Sequence, residues 1–507
     1  MHRRKRRTKE NLMKLPTVPS LLLACLGGAG LLSACTTVGT DYAGPPVTPQ
    51  AAGFARAGTP DMPATPADSK ALAHWWTELG DPLLDQLVDR ALQANPNLAL
   101  ASARVRQARA SLRSEQANGK PKGSATALAA HAHLPTLGSG GGNDSGSDGG
   151  NNDSLSIPSS LNLYSVGFDA TWEIDLFGGQ RRATEAAGAA AEAAEARLAD
   201  AQLSLVAEVA QAYVNLRSTQ AQVALSNAAI ERQQRSLELA LRRVKAGTAS
   251  ELDITRLQGQ LETTRSQAEP LGAQLDAYRD ELATLVGVAP GALDAELGAG
   301  PANAAAVPLP PASVAVGDPT AMLRRRPDIR AAERTLAQRQ AQIGQAQAAR
   351  FPKLSLMGLI GIGGTHVSDL THLDDYSAII APQLSWNVLD FGRVNANIEQ
   401  SQGVRDEAEA QYRIAVLGAL RDAEDALSRF RQRRTSVATI ARAKATADRA
   451  AVLTAARQRA GTASLIDVLD TERQQLTAEQ NLAQAQAALT NDFIALQKAL
   501  GLGWRGS

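Results

Sequence analysis

The run Trp172-Glu173-Ile174-Asp175-Leu176-Phe177-Gly178 returns 214 residues later as Trp386-Asn387-Val388-Leu389-Asp390-Phe391-Gly392, and a chain that repeats itself in one register folds as two copies of one unit. The same offset carries Ala246-Gly247-Thr248-Ala249-Ser250 onto Ala460-Gly461-Thr462-Ala463-Ser464, and Asp253 onto Asp467. Upstream, Pro121-Lys122 matches Pro352-Lys353 at an offset of 231, so the first copy carries seventeen extra residues. The Gly/Ser/Asn/Asp-rich tract 138–154 is the place for them, and its composition reads as an exposed loop with no core. The repeats span 80–287 and 317–501, joined by a Pro/Ala/Gly-rich linker over 288–316 and followed by a tail, 502–507.

Residues 179–246 run for 68 positions without a proline, about 100 Å if helical. Val209, Leu216, Val223, Ile230, Leu237 and Val244 recur every seven residues, as do Ile254, Leu261, Ala268, Leu275 and Leu282 after the turn. That is a coiled-coil seam, and it predicts an antiparallel hairpin over 179–287 with its tip at 247–250. The second hairpin falls over 393–500 with its tip at 461–464. Pro270 and Gly272 predict a kink in the first return helix. Each return helix is too short for its partner, so the helices beginning at Pro96 and Pro327 are expected to stack end to end on them.

Between the helices, Tyr164, Val166, Phe168, Ala170, Trp172 and Ile174 alternate with small or polar residues, the pattern of a strand with lipid on one face and water on the other. Strands are expected over 124–134, 162–176, 353–362 and 377–390, with Pro382 marking a bulge or an edge in the last. Four such strands cannot close a barrel, for which at least about eight are needed in lipid. The chain must therefore oligomerise, and arithmetic alone leaves dimer and trimer open.

The amino terminus is a secretory signal: Arg3, Arg4, Lys5, Arg6, Arg7, Lys9 and Lys14 precede an apolar run that ends Leu32-Ser33-Ala34-Cys35. This is the pattern of a lipoprotein signal over 1–34, with Cys35 as the acylated first residue; Cys25 is the weaker candidate. A net charge of +1 argues against a strongly basic nucleic-acid binder. There is no Gly-x-Ser-x-Gly, phosphate-binding Gly-Lys loop or cysteine metal spacing, so no enzyme and no cofactor beyond the covalent lipid is expected. His131 and His133 share a strand face without a third ligand and read as polar residues on its water side, while His366 and His372 belong to a second exposed loop.

With Cys35, the following Val38-Gly39-Thr40-Asp41-Tyr42, Trp75-Trp76 before Gly80-Asp81-Pro82, the two Trp-to-Phe-Gly ends and the two Ala-Gly-Thr tips, the chain resembles the TolC-like outer-membrane factors, closest to their lipidated efflux branch. The resemblance implies an α+β membrane protein: a trimeric twelve-stranded transmembrane β-barrel, continued into the periplasm by a long α-helical coiled-coil barrel. Segments 35–79 and 288–316 would form a belt around the helices. The implied partners are a periplasmic adaptor and an inner-membrane efflux pump. Asp467 and Asp470, three apart on one helix face, are the candidate gate at the periplasmic mouth. In such proteins a basic residue often follows the Gly-Thr of the inner tip; Ala463 stands there instead, and Arg459 is the candidate substitute cation. Asp253 with Arg256 is the equivalent at the outer hairpin, and Gly247, Thr248, Gly461 and Thr462 are the candidate adaptor-docking tips. The competing readings are a channel for protein secretion and a non-conducting coiled-coil stalk or adhesin.

Overall fold

A computed structural model describes residues 37–47, 53–56, 73–133, 160–298, 306–372, 374 and 376–504. The signal segment, Cys35 and the 138–154 tract lie outside the described residues. In chain order the elements are α1 (Pro82–Ala94), α2 (Pro96–Asn118), β1 (Lys122–His133), β2 (Ser160–Ile174), α3 (Gly179–Lys245), α4 (Glu251–Val286), α5 (Asp294–Gly298), α6 (Pro319–Arg325), α7 (Pro327–Ala348), β3 (Lys353–Gly364), β4 (Tyr376–Ser385), α8 (Arg393–Arg459) and α9 (Leu465–Ala499). The chain divides into two compact units, and α3 continues from one into the other. Helix α4 runs unbroken through Pro270. Among the described residues no helix is long and apolar enough to cross a membrane.

The first unit, residues 1–42, 112–187 and 339–405, holds the sheet. Its four antiparallel strands follow chain order, so β1 and β4 are its edges. The register gathers Val166, Ile362 and Tyr376, then Phe168, Ile360 and Ala378, then Trp172, Leu356 and Pro382 onto one face. The opposite face carries Ser124 and Asp169, whose side chains hydrogen-bond at 2.5 Å, but also Met357, Leu359 and Ile379. Pro382 pairs opposite Leu356 without a bulge, on an edge strand as a missing N–H favours.

Two expectations change here. Strand β4 ends at Ser385 rather than near residue 390, because β3 begins at Lys353 and offers no backbone beyond it. His131 and His133 face the same side as Val166 and Phe168, not the water side; they stand at the end of that face where β1 enters the loop, with His131 Nδ1 2.6 Å from Asn162 Oδ1. Strand β1 is so rich in alanine that its own pattern holds no contrast, and only its register with β2 assigns the faces.

The repeated tryptophans do the same work twice. Trp172 Nε1 donates to Gly119 O at 3.1 Å and Trp386 Nε1 to Arg350 O at 3.0 Å, so each indole satisfies a carbonyl just past the end of α2 or α7.

The second unit holds the main core, with Trp75, Tyr213, Phe430 and Phe493 among its largest buried side chains. Asp81 caps α1 and also accepts from the Tyr213 hydroxyl at 2.6 Å, while Arg217 Nε donates to that hydroxyl at 2.8 Å. The described parts of the expected belt from residue 43 onward belong to this unit, whereas residues 37–42 belong to the first. Phe54 is buried, the Ala55 and Arg56 amides donate to the Glu424 carboxylate at 2.7 and 3.0 Å, and Pro308 O accepts from Thr490 at 2.6 Å.

The end-to-end stacking takes the form of two splices. Buried Asn95 accepts from the Asn97 and Leu98 amides at the start of α2 and donates from Nδ2 to Leu285 O at the end of α4, at 2.8 Å. One side chain thus satisfies an orphan carbonyl and two orphan amides. The second repeat uses arginines: Arg326 donates to Ala499 O and Arg325 to Leu500 O, both at 2.8 Å, and Asp328 holds Arg326 at 2.7 Å. Asn95→Ala removes the first splice, and it is expected to cost about 1–3 kcal/mol. The check is a lowered thermal midpoint of the detergent-solubilised protein, against an unchanged midpoint for a substitution at exposed Arg56.

Candidate functional site

The hairpin tips are built alike. At the first, Gly247 takes φ +71° and its amide bonds to Val244 O at 2.9 Å, while the Thr248 amide bonds to Arg243 O at 2.8 Å. At the second, Gly461 takes φ +76° and bonds to Gln458 O at 3.0 Å, and the Thr462 amide bonds to Arg457 O at 2.9 Å. This closure needs a left-handed residue, which glycine supplies without strain. The hydroxyls of Thr248 and Thr462 fold back onto the same arginine carbonyls, each at 3.1 Å. No atom lies within 4 Å of where a Cβ on Gly247 or Gly461 would stand, so both tips are open.

The next helix begins at once in each case with a capping box. Ser464 Oγ accepts from the Asp467 amide, and Asp467 Oδ2 accepts from the Ser464 amide at 2.9 Å and its hydroxyl at 2.8 Å. In the first copy Ser250 and Asp253 form the equivalent, with the amide of Ser250 3.4 Å from Asp253 Oδ2. Asp467 is fully exposed, and its carboxyl is held below the usual aspartate range by the Ser464 hydroxyl, then the Ser464 amide, against a small opposing desolvation and with a contribution from the Arg457 charge. Asp470, one turn on, accepts from Arg473 and Gln474, each at 2.7 Å.

The charges at the tip are therefore partnered differently from the sequence expectation. Arg459 turns its Nε to Ala455 O of its own helix at 3.3 Å, and the cation acting on Asp467 is Arg457. Asp253 meets Ser250, while Arg256 stands exposed one turn further on.

A polar seam that the apolar heptads do not reveal joins the hairpins. Asn491 donates to Asn215 Oδ1 at 2.8 Å, Gln484 to Gln222 Oε1 at 3.0 Å and Gln480 to Ser226 Oγ at 3.3 Å. Steps of seven and four residues along α3 are matched by the same steps back along α9, as antiparallel packing requires. Closer to the tip, burial pushes the Glu472 carboxyl up, with the Arg232 charge opposing. Helix α3 thus carries its apolar heptads and, three positions on, the buried small or polar residues Ala212, Thr219, Ser226, Gln233 and Ala240. Their seven-residue spacing was the available signal.

The family model described as "Outer membrane efflux protein" matches residues 87–288 and 319–502, and the chain belongs to that family. The two matched segments fall on the two repeats. The chain is 30% identical over 478 residues to Nodulation protein T of Rhizobium leguminosarum bv. viciae, covering 94% of this chain and 92% of that one. It is 30% identical over 486 residues to the pyoverdine export outer membrane protein OpmQ of Pseudomonas aeruginosa, covering 96% and 97%. Among solved structures it resembles the outer-membrane channel OprN at 32% identity with a TM-score of 0.81, covering 92% of this chain and all of that one. The fold is that of the TolC-like outer-membrane channels, and the outer membrane is its place.

The linkage at Asp467 has a definite sign. Its folded value is depressed, so its contribution is present above the unfolded aspartate value of about 3.9 and is lost as pH falls below that toward the folded value. Hydrogen exchange over the first turn of α9 is expected to show protection that declines only in that acid window. In Ser464→Ala, which removes the hydroxyl but keeps the amide of residue 464, protection at neutral pH is lower and its decline across the window smaller; a wild-type profile in that variant would refute the coupling.

Proposed function

We propose that this chain is the outer-membrane exit duct of a tripartite efflux system, through which small molecules delivered by an inner-membrane pump and a periplasmic adaptor leave the cell. The observation that carries the reading is a four-stranded sheet with an apolar face and two open edges, in a chain of the efflux-protein family. Three copies pairing β4 of one with β1 of the next close twelve strands and leave no edge in lipid. The duct is passive. It makes no bonds and needs no cofactor, and the pump supplies the energy.

Relatives described as a pyoverdine export protein and a solvent efflux pump outer membrane protein support small molecules as cargo in preference to secreted proteins. Acylation at Cys35 adds an anchor to the leaflet from which the barrel rises. Gly247, Thr248, Gly461 and Thr462 offer the adaptor a surface without bulky side chains. At the mouth, Asp467 and Asp470 from three copies form two rings of carboxylate. Such rings favour cations and, in a narrowed mouth, repel one another. Arg473, ion-paired with Asp470, and the nearby charge of Arg457 moderate that repulsion within each copy, while Asp253 and Arg256 flank the mouth from the outer hairpin.

Single-channel recording in planar bilayers tests the duct and its gate together. The wild type is expected to give cation-preferring steps, and Asp467→Ala with Asp470→Ala to give larger steps with weaker cation preference. Steps of unchanged size and selectivity would remove the gate, and a protein that never conducts under either sequence would remove the duct.

A further inference from the structure

Among the described residues two arginines are buried: Arg217, which donates to the Tyr213 hydroxyl, and a second that serves neither that core bond nor the tips nor the splices. Arg182, in the first turn of α3, is 3% exposed. Its Nε donates to Val38 O at 3.1 Å, Nη2 donates to Gly39 O at 2.9 Å and lies 2.8 Å from an Asp41 oxygen, and Nη1 meets Glu185 at 2.7 Å. Desolvation works against the guanidinium charge, but Glu185 and Asp41 outweigh it and raise its affinity for the proton.

The segment held in this way is Thr37-Val38-Gly39-Thr40-Asp41, with little apolar surface of its own to bury. Further polar contacts fasten it. The Val38 amide donates to Phe177 O at 2.9 Å, Arg181 Nη1 to Thr37 Oγ1 at 2.5 Å and Gln340 Nε2 to Thr40 Oγ1 at 2.8 Å. Glycines make the fit possible. Gly39 lies at φ +89°, where a Cβ would come within 2.7 Å of Gly344 Cα, and a Cβ on Gly344 would press on the Arg182 side chain at 3.0 Å. Every one of these residues belongs to the unit that holds the sheet.

Thr37 stands two residues after Cys35 in the sequence. We propose that Arg182 is a positioning residue for the membrane anchor: by seating residues 37–41 against the junction of β2 and α3, it fixes where the acylated terminus leaves the protein, so that anchor and strands enter the leaflet as one body. A segment with no core of its own is ordered only by such a grip. Without it the anchor would drag on a slack tether, and acylation would no longer assist insertion. This rests on the anchor assigned to Cys35 under the proposed function.

The test follows insertion of the full chain into outer-membrane lipid vesicles, read as the rate at which a heat-modifiable, detergent-resistant assembly appears. Arg182→Ala is compared with Gly39→Ala, which displaces the segment while leaving the arginine in place. Each is made in the acylated protein and in a Cys35→Ala protein exported by a non-lipoprotein signal. Both substitutions are expected to slow insertion about tenfold in the acylated protein, the factor carried by one charge-assisted hydrogen bond. Neither should slow it further in the Cys35→Ala background. Equal slowing in both backgrounds, or no slowing in either, overturns the proposal and leaves the anchor intact. An intact mass of the wild type without added acyl groups overturns the anchor itself.

Discussion

Hydrocarbon offers no partner to a backbone N–H or C=O, and that constraint governs the rest of this molecule. The duplicated chain supplies a hairpin from each copy, and the four strands pair with one another in chain order. What remains unpaired is one edge of β1 and one edge of β4. A face carrying Val166, Phe168, Ile360 and Trp172 suits lipid, yet a sheet with open edges does not. Closure by further copies meets both demands, and it also leaves a bore whose wall is the opposite face of the sheet. That wall is mixed: Asp169 and Thr171 lie beside Leu359 and Met357 in the register.

The helices obey a different accounting. Chain ends that would expose carbonyls and amides inside the second unit are joined by Asn95 in one repeat and by Arg325 and Arg326 in the other. Duplication preserved the geometry of the joint and exchanged the chemistry that makes it. Beside the apolar core that both hairpins share runs a ladder of polar contacts between them. Leu216, Val223 and Ile230 follow the heptad seam, whereas Asn215, Gln222 and Ser226 bond across to α9. Apolar packing is indifferent to small sliding, but a ladder of amides is matched only at particular registers, so it sets one hairpin against the other in a definite position.

Much of this was legible in the residues, because duplication and periodicity write themselves into sequence. The offset of 214 locates both strand ends and both tips, and glycine turns followed by capping boxes stand at those tips. Pairing was less legible. Nothing in Ala125-Thr126-Ala127-Leu128-Ala129 reveals which face meets lipid, so β1 alone does not assign a side to His131 and His133, and only its pairing with β2 does. Apolar alternation continues through Trp386 and Val388 after the partner backbone has run out, so the pattern alone makes β4 too long. Proximity along the chain points Arg459 at Asp467, but in the folded helix its Nε turns to the Ala455 carbonyl. The grip of Arg182 on residues 38–41, made across more than a hundred positions, leaves no periodic trace.

The central claim is that copies of this chain share their strands to seal one barrel. A cryo-electron map of the protein in lipid nanodiscs tests it most directly. Three-fold symmetry, with β1 of each copy hydrogen-bonded to β4 of its neighbour around an open bore, is the predicted result. A single copy whose sheet edges are covered by its own helices, or an assembly without a continuous passage, would contradict it.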